Sequence, residues 1–167
     1  MARLIIISIA ILAFAASGFG QAPAPNCNND PKFRQFDFWL GEWDVKNAQG
    51  NAAGESSITA DLNGCVIFEH FRAGNYSGKS MNIYDRTDGK WHQTWVDITG
   101  VLTEYTGGIE DGKMVYVANE VRQGKAIVLK MTFTRLEDGS VRQFGEFSAD
   151  GGKTWQTRYD LTYVKKN

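Results

Sequence analysis

The chain has 167 residues and a net charge of -1, with 18 Lys and Arg against 19 Asp and Glu and no basic block. That length suits one domain with a real core and is short for two, and the near-neutral charge gives a nucleic-acid-binding surface no electrostatic footing. Two histidines, His70 and His92, and two cysteines, Cys27 and Cys65, are all the soft ligands available, so a structural metal site is not expected.

Residues 1–20 read as a secretory signal peptide: Arg3, then the apolar run Leu4 to Ala16, then the small residues Ser17, Gly18 and Gly20. The run falls short of the about 20 apolar residues that a spanning helix needs, and no second run follows. A secreted or periplasmic protein without a membrane span is expected, cleaved near Gly20. Ala24, Pro25 and Asn26 before Cys27 lack the small-residue box of a lipoprotein. Residues 21–29, rich in Pro, Ala and Asn, form a leader, and 30–167 form a single domain. Export predicts a disulfide between Cys27 and Cys65, worth about 3 to 4 kcal/mol in the chain-entropy model; the alternative is two buried thiols.

Asp30-Pro31 begins one short helix, with Pro at its first position and Phe33, Phe36, Phe38, Trp39 and Leu40 as apolar surface before Gly41. Beyond Gly41 no helical period occurs. Turn dipeptides recur instead: Asn63-Gly64, Asp88-Gly89, Thr99-Gly100, Asp111-Gly112, Gln123-Gly124, Asp138-Gly139 and Gly151-Gly152. They separate ten predicted strands, near 43–48, 53–62, 65–73, 79–87, 90–98, 101–110, 113–122, 125–137, 140–149 and 153–165. The fold class is all-β, an antiparallel up-and-down barrel of roughly ten strands, since closure removes the exposed edges.

Treating the turns as tight reversals sets a register: Tyr84 opposite Gln93, Ile98 opposite Val101, Ile109 opposite Met114, Glu120 opposite Ile127, Phe133 opposite Phe144, and Phe144 opposite Tyr159. One face then holds Met81, Ile83, Val96, Ile98, Val101, Tyr105, Met114, Tyr116, Ile127, Leu129, Met131, Phe133, Phe144, Trp155, Tyr159, Leu161 and Tyr163. The other is mostly polar, with Ser80, Asn82, Gln93, Asp97, Glu104, Asn119, Lys130, Thr132, Gln143, Gln156, Arg158 and Asp160. The apolar face is expected to point inward, around a cavity or a filled interior.

The run from Phe36 to Val45, FDFWLGEWDV, with Gly64-Cys65-Val66, Tyr84-Asp85, WHQTWVD over 91–97 and DGGKTW over 150–155, resembles an exported bacterial family of unknown function. The resemblance covers nearly all of the chain after the signal and implies no reaction. Gly41-Glu42-Trp43 is also similar to the Gly-x-Trp that opens the first strand in calycins, the lipocalin-like superfamily. There the Trp closes one barrel end against a basic residue of the last strand, which implies Arg158, Lys165 or Lys166 here. Ser148-x-Asp150-x-Gly152-x-Thr154-Trp155 resembles the Asp-box, a folding unit around a hairpin turn.

Polar residues assigned to the apolar face are the first candidates for a site, because an unpartnered buried polar group costs about 1 to 3 kcal/mol. They are His92, Thr94, Thr103, Glu120, Arg142 and Glu146, with Glu120 and Arg142 better placed at a solvent-reaching rim. Tyr105, Tyr116 and Tyr159, with Met131 and Phe133, complete a candidate lumen. Gln93, Trp95, Asp97 and Glu104 form an alternative outer patch, which becomes lumen if a bulge inverts the strands bearing it. No hydrolase elbow, phosphate loop or dinucleotide fingerprint occurs, and haem would want a histidine beyond His92, so no cofactor is expected. The leading reading is a binder of a small, mostly apolar molecule. The alternatives are an envelope structural or interaction module working through Trp95, and, weaker, a hydrolase or isomerase using Glu146 or Asp97.

Overall fold

A computed structural model describes residues 26–166; the expected signal peptide and most of the leader lie outside them. Ten strands follow one another around a closed antiparallel barrel: β1 (Gly41–Asn47), β2 (Ala52–Asp61), β3 (Val66–Ala73), β4 (Tyr76–Asp85), β5 (Lys90–Asp97), β6 (Leu102–Glu110), β7 (Lys113–Arg122), β8 (Lys125–Arg135), β9 (Val141–Ser148) and β10 (Gln156–Lys165). Each strand pairs with its chain neighbours, and β10 returns to β1 with Trp43 opposite Lys165. The expected all-β, up-and-down architecture is therefore present. The expected helix is three separate 3-10 turns, Cys27–Asn29, Pro31–Arg34 and Asp37–Trp39, the second capped by the Asp30 carboxylate with Pro31 at its start.

These 3-10 turns plug one end of the barrel, the floor. Phe36 is fully buried, its ring 5.0 Å from Phe133 and 5.9 Å from Trp91, and it stacks on Trp39 at 4.9 Å. Each such ring contributes about 1.5 to 3 kcal/mol by leaving water. The disulfide Cys27–Cys65, with a Cα separation of 4.9 Å, ties the plug to the β2–β3 loop. The Arg34 guanidinium, donating to the Gly64 carbonyl, adds a second tie. Trp43 donates its indole N–H to the Trp39 carbonyl at 2.9 Å, and the Lys165 ammonium lies 5.7 Å from its ring.

Two turns fold as expected. Asp111 and Gly112, and likewise Gln123 and Gly124, all have positive φ, the two-residue type I′ geometry, and they place Ile109 opposite Met114 and Glu120 opposite Ile127. Two others contain three residues. The Asp97 amide donates to Val101 and the Leu136 amide to Ser140, and in each loop only the glycine, Gly100 or Gly139, has positive φ. That is a type I turn closed by one left-handed residue. Trp95 consequently faces Thr103, and Phe133 faces Gln143 rather than Phe144. A bulge between Thr157 and Tyr159 then shifts the phase back.

The result corrects the expected faces of β4, β5 and β9. Met81, Val96 and Ile98 point out and are 44 %, 42 % and 60 % exposed, whereas Ser80, Asn82, Gln93 and Gln143 are buried inside. Phe144 and Trp155 also lie outside, beneath Arg142 and Lys130. Leu129, Met131, Phe133, Tyr159, Leu161 and Tyr163 do face inward, because β6, β7, β8 and β10 keep the expected phase. No helix among the described residues is long and apolar enough to cross a membrane.

Candidate functional site

The floor half of the barrel is filled by aromatic rings; the other half holds a cavity of about 320 Å³ that opens at the mouth. Ligand pockets span about 300 to 1,000 Å³, so this one suits a small molecule. Two glycines help to keep it open. A Cβ on Gly78 would lie 2.2 Å from the Trp95 ring, and one on Gly145 would lie 2.3 Å from the Tyr159 ring. Both rings lie flat against bare backbone and leave the lumen free.

At the inner end sits Glu69 of β3, only 2 % exposed. One carboxyl oxygen accepts from Ser56 at 3.0 Å and Tyr163 at 3.2 Å, and the other from Ser80 at 3.2 Å. No Lys, Arg or His reaches it among the described residues. Burial disfavours the charged form more than these three hydrogen bonds favour it, so its pKa is pushed up to about 7. The polar chain continues on both sides. Asn82 donates to Ser80 at 3.0 Å and accepts from Gln93 at 2.8 Å, while the Tyr163 hydroxyl lies 2.7 Å from the Gln143 carbonyl oxygen.

Phe71, Trp95, Tyr105, Tyr159 and Met131 form the walls. Burial raises the pKa of both Tyr105 and Tyr159, so both hydroxyls stay protonated donors. At the mouth, Asp97 accepts from Tyr76 at 2.9 Å and from the Thr99 hydroxyl at 2.5 Å, bonds that lower its pKa to about 2. Arg122 is 2.6 Å from Glu120, and the Arg158 guanidinium lies 5.8 Å from the Tyr159 ring.

The structure divides the sequence-predicted residues. Tyr105, Met131 and Tyr159 line the cavity, as does Thr103; Tyr116 and Phe133 are buried in the floor packing around Phe36. His92, Thr94 and Glu146 are corrections: the three-residue turns put them on the outer wall, where His92 meets Asp88 at 2.9 Å and Glu146 meets Lys130 at 2.8 Å. Arg142 is likewise outside, bound to Asp160 at 2.8 Å. Gln93, Trp95 and Asp97, assigned to an outer patch unless the strands invert, are cavity-lining, and Glu104 alone stays exposed outside. No acid pair of Asp97 with Glu104 forms across that wall.

Glu69 is the residue that sequence reasoning missed. Its signal was present, because Ile67, Glu69 and Phe71 share one face of β3 against His70 and Arg72 on the other. Asp85, Asp88 and His92 offer ligand atoms within 4.8 Å of one another on the outer wall. Asp85 and Asp88 already accept turn amides, from Thr87 at 2.7 Å and Lys90 at 3.0 Å. Neither a protein-family model nor a curated protein matches the chain.

Proposed function

We propose that the protein binds a small, mostly apolar molecule in the barrel cavity, oriented by a few polar groups at its inner end. The observation that carries this is a lumen left open above a packed floor, with a carboxyl, two amides and tyrosine hydroxyls converging on it. A barrel needing only stability would have filled that space, since interiors pack to crystal density. The inward Trp95 and the ion-paired Glu146 weigh against the surface-module and enzyme readings. Secretion or periplasmic residence belongs to the same proposal and is supported by the disulfide. So does membership of the exported, calycin-like family, supported by Trp43 closing the floor beside Lys165.

Native mass spectrometry of protein purified from its own host is expected to reveal added mass. The neutral probe N-phenyl-1-naphthylamine is expected to gain fluorescence on binding and to be displaced by a host extract. Failure of both would refute the binding reading.

A further inference from the structure

Among the described residues Glu69 is the one carboxyl in the buried interior, and none of them supplies it a cation. A buried ionised group without a counter-charge is costly, and attraction to an opposite charge strengthens as water is excluded. Of the basic residues lining the cavity, Arg122 is held at the mouth by Glu120 and Arg158 lies out over Tyr159. With Asp97 and Glu120 they leave the entrance close to neutral. Between entrance and carboxyl stand the rings of Phe71, Trp95, Tyr105 and Tyr159, whose faces attract a cation as well as apolar surface.

We propose that the cavity takes a small organic ammonium, its charged nitrogen on the Glu69 carboxylate and its aromatic or apolar body between these rings. The inference rests on the binding reading above and names the ligand's chemistry. The three donors on Glu69 still leave one lone-pair direction of its second oxygen for such a nitrogen, and the floor beneath is closed by Phe36 and Trp39.

Occupancy of this kind depends on pH in a stated direction. The groups packed around Glu69 are Ser56 of β2, Ser80 of β4, Gln93 of β5, Gln143 of β9 and Tyr163 of β10. Tyr105 and Tyr159 face it across the lumen, with Asp97, Arg122 and Arg158 beyond them at the mouth. Burial holds the tyrosines far above neutrality, Asp97 is ionised down to about 2, and His70 and His92 lie on the outer wall. Glu69 is therefore the lumen group that changes charge near pH 7. Below that pH an ammonium must displace its proton, and affinity falls by up to about tenfold per pH unit.

Calorimetric titration at pH 8 and pH 6 with tryptamine, its neutral analogue tryptophol and the anion indole-3-propionate tests this. At pH 8 tryptamine is expected to bind at least about tenfold tighter than tryptophol, to lose most of that advantage at pH 6, and to lose it at both pH values in Glu69→Gln. Should Glu69→Gln fail to fold, the wild-type pH comparison decides alone. Equal binding of amine and alcohol, or preference for the anion, overturns the ammonium assignment, as does absent tryptamine binding beside firm binding of N-phenyl-1-naphthylamine; each leaves the binding reading standing. If neither the indoles nor that probe binds, both fall.

Discussion

Glu69 is a buried carboxyl whose charge is set against the stability of the fold. An ordinary glutamate titrates near 4.5, and burial moves this one to about 7. Between those values the folded protein holds a proton that the unfolded chain has released, so stability falls as pH rises through that window, by on the order of 3 kcal/mol in all. The carboxylates held below their usual range, Asp97 and Asp150 among them, act in the opposite sense and only in acid. Urea unfolding of wild type from pH 4.5 to pH 8 is therefore expected to trace a decline that Glu69→Gln lacks, with the variant the more stable at pH 8. Parallel profiles for the two proteins would mean that Glu69 loses its proton in the folded barrel at the same pH as in the unfolded chain, and so is not shifted by burial. The residue was within reach of the sequence, since an acid flanked at two-residue spacing by Ile67 and Phe71 marks an inward carboxyl. The register that the tight turns set runs only from β4 onward, so it does not reach β3.

The elements were legible because glycines punctuate the chain at strand-length intervals, and the tenfold meander follows from them. The strand faces were legible only in part, for a reason the turns make concrete. Asp111-Gly112 and Asp138-Gly139 are the same dipeptide, yet Asp111 takes positive φ and Asp138 does not; Asp138 instead accepts from the Ser140 amide at 2.9 Å. A two-residue and a three-residue reversal thus share one signature, and each difference of one residue inverts a strand. The N-terminal plug makes a separate case, because its 3-10 turns are too short to hold themselves together and depend on tertiary anchors. The disulfide is the strongest of these, closing a span of 38 residues. Reducing it, or replacing both Cys27 and Cys65 by Ser, is expected to cost about 3 to 4 kcal/mol and to lower the melting temperature by roughly 10 °C. Calorimetry with and without a phosphine reductant reads this directly. An unchanged melting temperature would show that Phe36, Trp39 and Arg34 hold the floor unaided.

At the scale of the whole molecule, ten strands enclose more volume than their own inward side chains fill, and the two halves of the barrel resolve the surplus differently. The floor half imports rings from outside the sheet, with Phe36 and Trp39 packed against Phe133. The mouth half removes side chains instead, so that Trp95 and Tyr159 recline over Gly78 and Gly145 and the lumen stays open. A methyl group on Gly145 has no room under the Tyr159 ring. The ring's free direction is into the cavity, toward Tyr105 and Leu161. Gly145→Ala is thus expected to destabilise the fold only moderately, by about 1 to 3 kcal/mol, while filling part of the cavity in which binding is proposed. The two effects separate in one experiment. A molecule bound only by the folded state, supplied at a hundred times its dissociation constant, adds about 2.7 kcal/mol of stability. Wild type should therefore melt several degrees higher with N-phenyl-1-naphthylamine, and Gly145→Ala should show little or no shift. A full shift in the variant would mean that the probe binds elsewhere, for instance on the exposed apolar rim formed by Ile98, Leu102 and Val121.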